Sequence, residues 1–142
     1  MPSNMTPQEV HDFLDSKAGW ITLSTIGRDG YPHSVPLGYF RLGDDIYLGC
    51  RAGTQKVVNI ERNPQVSLTL ETGSTMRDIK GVMIQGDAVV YTDAENLLRL
   101  RREAERLRGV PEADQSREAP VGSAYIQVTP RRVISWDYGK DR

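Results

Sequence analysis

Apolar positions change their rhythm several times along this chain, and each change marks an element. Val10, Phe13 and Leu14 share one face at helical spacing. Ahead of them, Thr6 precedes Pro7, and Glu9 follows three residues after Thr6. That layout is a capping box with proline at the first helical position. It predicts a helix that ends near Lys17, before Gly19. Residues 20–26 begin at Trp20, are rich in β-branched side chains and predict a strand. Gly27-Arg28-Asp29-Gly30 carries the Asp-Gly hairpin signal, and 33–40 reads as the returning strand. Pro36 places that strand at an edge or a bulge, because proline cannot donate to a ladder. A turn at Gly43-Asp44-Asp45 leads to a third strand, 46–50.

The next stretch, Arg51-Ala52-Gly53-Thr54-Gln55-Lys56, breaks the strand pattern. A short helix is predicted over 55–62, with Thr54 at its N-cap and Asn63-Pro64 stopping it. Val66, Leu68 and Leu70 then alternate with polar residues, a strand over 65–71 with one wet face. After a polar loop, 79–91 reads as a long strand in which Gly81 and Gly86 signal bends or bulges. Asp93 caps a helix predicted over 94–108. Leu97, Leu100, Ala104 and Leu107 form its apolar face, and arginines interleaved with Glu103 and Glu105 form its solvated face. Gly109 ends it, 110–122 reads as a loop, and two strands, 123–129 and 132–138, close the chain. There is no internal repeat, low-complexity run or sign of a second domain, so residues 1–142 are expected to form one unit. Short strands joined by tight turns, with helices between some of them, predict an α+β fold, an antiparallel β-barrel with flanking helices.

Composition narrows the function. The 142 residues suffice for a hydrophobic core without disulfides or metal. Eighteen basic and 19 acidic residues give a formal net charge of −1, which argues against a dedicated nucleic-acid binder. No apolar run approaches the ~20 residues that span a bilayer, so no membrane partner is expected. The first residues lack the plan of a signal peptide, and a cytoplasmic location is expected. One cysteine and two histidines without close spacing give no metal site.

Candidate chemistry concentrates at 47–56. A strand ends, a glycine-bearing turn follows and a helix begins, and free N–H groups at a helix start attract anions. Thr54 adds a hydroxyl, and Arg51 and Lys56 add positive charge, a set that suits a phosphate. On spacing alone, a capped helix with two solvated basic side chains explains the same residues more simply. Cys50 lacks a base partner and reads as a buried structural thiol. His33 reads as a histidine beside a turn, the arginine-rich helix as a salt-bridged face, and Trp136 and Tyr39 as core or stacking aromatics. No Gly-x-Gly-x-x-Gly motif points to a nucleotide-binding Rossmann unit.

Gly53-Thr54-Gln55-Lys56, followed by Asn59-Ile60-Glu61-Arg62-Asn63-Pro64-Gln65-Val66-Ser67-Leu68, resembles the cofactor-phosphate motif of the pyridoxamine 5′-phosphate oxidase-like split-barrel family. The resemblance extends over nearly the whole chain. It includes Asp29-Gly30-Tyr31-Pro32-His33, the strand from Gly81 to Ala88, and the ending from Thr129 to Asp137. It implies a Greek-key split barrel that forms a homodimer, with a cofactor in each of two interface clefts. Members bind FMN or the deazaflavin coenzyme F420, and a few bind haem or other tetrapyrroles. The implied cofactor contacts are Lys56 and Thr54, together with Gly53, Gln55, Arg51 and Cys50 around them; no catalytic residue is implied. Gln55 stands where the oxidases proper often have arginine, and 34–40 lacks their basic residues. The oxidase reaction itself is therefore not expected. Fewer cations favour the single charge of the deazaflavin's phosphodiester over the near-dianion of FMN. The implied activity is hydride transfer between a flavin or deazaflavin and a small conjugated substrate; a non-catalytic FMN-, haem- or tetrapyrrole-binding protein is the alternative.

Overall fold

The computed structural model describes residues 3–17 and 19–141. Helix α1 (Pro7–Asp15) opens on the expected capping box. The Thr6 hydroxyl accepts from the Glu9 N–H at 3.1 Å, and the Glu9 carboxylate accepts from the Thr6 N–H at 2.9 Å. The helix stops two residues short of Lys17. Lys17 takes a φ of 54°, a left-handed conformation that side chains disfavour. Its ammonium donates to the Tyr39 carbonyl and lies 4.1 Å from the Tyr39 ring centroid, and these contacts hold the turn.

Seven strands follow: β1 (Ile21–Ile26), β2 (Pro32–Leu37), β3 (Tyr39–Leu42), β4 (Asp45–Arg51), β5 (Gln65–Thr72), β6 (Lys80–Tyr91) and β7 (Ser123–Asp137). Two further helices, α2 (Gln55–Arg62) and α3 (Ala94–Leu107), complete the order. All strands pair antiparallel in one sheet, β2-β1-β5-β6-β7-β4-β3. This is the α+β antiparallel split barrel with flanking helices.

The strand expected over 33–40 is two strands. Gly38 separates β2 from β3, which lie at opposite ends of the sheet order. One corner therefore carries the chain between the two edges, which requires the sheet to curl on itself. Pro36 sits on edge strand β2, where its missing N–H costs no ladder bond. The two strands expected over 123–138 are, conversely, one. Gly86 pairs with Pro130 and Gln85 with Arg132, so Arg131 is an extra residue on β7 and the ladder continues past it.

The core lies inside the curl. Leu23, Leu68, Val82, Ile126 and Val128 from the central strands are sealed by Phe13 and Leu14 of α1 and by Val57 and Ile60 of α2. Leu68 is fully buried, and truncating such a side chain to alanine costs about 2–5 kcal/mol. A second cluster lies outside the sheet under α3. There Phe40 stacks on Tyr47 with centroids 5.3 Å apart, beside Leu100 and the edge of Tyr125. The apolar stripe expected on α3 runs out early, since Leu97 and Leu100 are buried and Leu107 is exposed. Glu105, expected on the solvated face, is buried instead. The segment after α3 folds back over it, and its carboxylate accepts from the Ser116 N–H at 2.8 Å and the Ser116 hydroxyl at 2.7 Å.

Candidate functional site

The turn between β4 and α2 is built around Gly53, whose φ of 77° is open to glycine and strained for other residues. This left-handed step reverses the chain at the end of β4 and starts α2 at Gln55. Thr54 is the N-cap residue of α2 as expected, but its side chain does not cap the helix. Its hydroxyl donates back to the Arg51 carbonyl at 3.0 Å. With no side-chain cap, the first turn of α2 presents its N–H groups outward at the positive end of the helix dipole.

Three of the expected site residues meet here. Cys50 packs against the barrel core, and burial pushes its thiol pKa up. The Lys56 charge and the Thr54 hydroxyl, both close to the sulfur, pull in the other direction. The net rise keeps the thiol protonated at neutral pH, which suits a structural wall rather than a nucleophile. Lys56 is half-buried beside it, whereas the Arg51 side chain is exposed. The Gln55 amide is committed to its own helix, donating to Asn59 Oδ1 at 2.7 Å.

That last bond leads to residues that sequence reasoning missed. Asn59 is fully buried, and its amide donates to the Thr25 hydroxyl at 3.0 Å, so a polar chain Gln55–Asn59–Thr25 ties α2 to β1. The available signal was an asparagine between apolar Val57 and Ile60 on a short helix. Beside Thr25 opens a cavity of about 520 Å³, lined by Ser24, Ser67 and Gln85 and, at the β7 bulge, by Arg131 and Arg132. None of residues 50–56 lines it; Thr25 is its link to the turn. His33 pairs with Thr25 across β1 and β2, and its buried Nδ1 has no hydrogen-bond partner among the described residues.

The aromatic residues separate by role. Tyr39 is a core residue. Its hydroxyl donates to the Leu14 carbonyl at 2.5 Å, and burial raises its pKa to about 12. Trp136 lies outside both apolar clusters. Its indole rests on Gly81, where a Cβ would come within 2.5 Å of the ring, and its Nε1–H donates to Glu71 at 2.8 Å. His11 pairs with Asp44 at 3.2 Å, and neither residue lines the 520 Å³ cavity. Among the described residues, no three His, Cys, Asp or Glu side chains are grouped to hold a metal, and no helix is long and apolar enough to cross a membrane.

A family model described as pyridoxamine 5′-phosphate oxidase matches residues 6–137. The chain belongs to that family. Among solved structures, a conserved hypothetical protein from Mycobacterium tuberculosis is 31% identical, with a TM-score of 0.83 over 97% of this chain and 88% of that one. An F420 reductase has the same fold at 17% identity and a TM-score of 0.63, covering 86% of this chain and 94% of its own. An FAD-binding protein from Mycobacterium smegmatis does so at 19% identity and a TM-score of 0.66, covering 93% and 96%. No protein of curated function matches the sequence.

Proposed function

We propose that this protein binds a flavin or deazaflavin cofactor through a phosphate at the start of α2 and serves as an oxidoreductase for a small conjugated substrate. The observation that carries the proposal is the convergence of Lys56 and Thr54 on a helix start that no side chain caps. The donor set fits a phosphate: one ammonium, one hydroxyl and the outward N–H groups of the first turn. Family membership and the F420 reductase and FAD-binding neighbours agree with a cofactor of this type. When bound, such a cofactor supplies the hydride chemistry, and the protein positions it.

This chain's own residues have limited tasks in that reading. Lys56 neutralises the phosphate, Thr54 donates to it by giving up its bond to the Arg51 carbonyl, and Gly53 lets the backbone approach. Gln55 contributes no charge, and its amide is held by Asn59. A single nearby ammonium matches the one charge of the F420 phosphodiester better than the near-dianion of FMN. The reading also includes a homodimer with the cofactor at its interface, for which light scattering should give twice the 15.9 kDa chain mass.

The absorption spectrum of the purified protein, followed by titration with FMN and with F420, tests the proposal. Saturable binding of either one, weakened in Lys56→Ala, is the expected result. A Soret band, or no binding of either compound, would overturn it.

A further inference from the structure

Where α3 stops covering the outside of the sheet, the β4–β7 pair leaves a hollow of about 320 Å³. Its floor is the Tyr125 ring. Gly49 pairs with Tyr125 across the ladder, and a Cβ on Gly49 would come within 3.2 Å of that ring, so a larger residue would crowd it. Its wall is Arg101 on α3 and Arg108 at the helix's C-cap, seven residues apart and therefore on one face.

The groups around the hollow are short of acceptors. Glu105 is 3.8 Å from the Arg101 Nε, an ion pair too long for a hydrogen bond. Among the described residues, no carboxylate forms an ion pair with Arg108. Its charge is felt by Lys17, whose pKa is lowered chiefly by burial and further by Arg108. Burial raises the pKa of the Tyr125 phenol while Arg101 and Arg108 draw it down, so both guanidinium groups lie near that hydroxyl. A helix C-terminus favours a cation at Arg108, but the dipole falls off within the last turn and does not account for Arg101 beside it.

We infer that this hollow, which meets the α2 turn at Cys50, is a binding site for a small carboxylate held by Arg101 and Arg108 over the Tyr125 ring rather than by Lys56 and Thr54. Guanidinium forks match the planar carboxylate, and an aromatic floor accepts a flat apolar body behind it. Two guanidinium charges less the Glu105 carboxylate leave one net positive charge, which a single carboxylate balances.

Benzoate is a suitable probe, with sulfate at matched ionic strength as the comparison, and 15N-detected amide shifts as the readout. Benzoate should move the Gly49 and Ser123 amides saturably. Arg108→Gln and Arg101→Gln, both changes of exposed side chains, should each weaken binding by on the order of tenfold or more, with the rest of the spectrum intact. Lys56→Ala should weaken benzoate binding less than either arginine change, whether or not the α2 turn holds a cofactor. The inference is overturned by any of three results: no saturable shift, equal weakening by Lys56→Ala, or sulfate binding as tightly at the same amides.

Discussion

Helices α1 and α2 both begin at a threonine with nearly the same backbone, φ −70° and ψ 161° at Thr6 against φ −73° and ψ 163° at Thr54. The two hydroxyls nevertheless serve opposite ends. At α1 the oxygen accepts from the helix and the box closes; at α2 the hydroxyl donates backward to Arg51. Two residues account for the difference. The third helical position is Glu9 in α1, which completes the box, and buried Val57 in α2, which cannot. The left-handed Gly53 also turns the Arg51 carbonyl into reach of Thr54. A threonine before a helix is therefore an ambiguous sign. What surrounds it decides whether the helix start is closed for stability or left open for an anion.

Closing the open end should have the largest effect. Thr54→Asp places a carboxylate where aspartate caps well, which should stabilise α2 by roughly 0.5–1 kcal/mol. The same charge opposes a phosphate, so cofactor affinity should fall by more than in any neutral variant. Chemical denaturation and cofactor titration on one sample read both; a variant that gains stability and keeps its affinity would break the contrast. Next comes Lys56→Ala. Losing a charge-assisted hydrogen bond should cost about 1.5–3 kcal/mol of binding, tenfold to a hundredfold in affinity, with an unchanged denaturation curve.

Thr6→Ala should show the reverse pattern, losing about 1 kcal/mol of stability in urea unfolding and leaving cofactor affinity alone. Thr54→Ala should lose less stability than Thr6→Ala, since its hydroxyl caps nothing. The smallest effect is acid sensitivity at the closed end. The Lys140 ammonium first, and the Thr6 N–H second, hold Glu9 at a pKa of about 2, below its ordinary 4.5. A depressed folded-state pKa stabilises the fold above the unfolded value and ceases to do so as the folded group protonates. This contribution should thus be complete above about 4.5 and fade as pH falls toward 2. Lys140→Ala should flatten the stability profile in that window, and Thr6→Ala, which keeps the backbone N–H, should flatten it less.

Local punctuation made much of this legible. Thr54 and Asn63-Pro64 bracket α2 at 55–62 in both sequence and structure. The gathering of Cys50, Thr54 and Lys56 follows from a turn of a few residues, so it too was readable. Contacts between distant segments were not. Asn59 meets Thr25 across 34 positions, and nothing near either residue announces the other. Glu105 looked solvated because helical spacing cannot show a later loop folding over it. Gly38 resembles any glycine in a strand until the sheet order shows that it joins the two edges.

The bulge at Arg131 bears on how the chain tolerates changes in length. Across it, the pairing of β7 with β6 keeps Val128 on the inner face and sets Trp136 opposite Gly81 on the outer one, an odd count of residues having been absorbed between Pro130 and Arg132. Elsewhere in β7, gaining or losing one residue would swap the two faces of everything beyond it. At Arg131 the ladder already accommodates the extra residue, and removing it would turn a bulge into regular strand while Trp136 stays over Gly81. Relatives one residue shorter are therefore expected to have their gap at this position, with the aromatic ending of the strand in the same place.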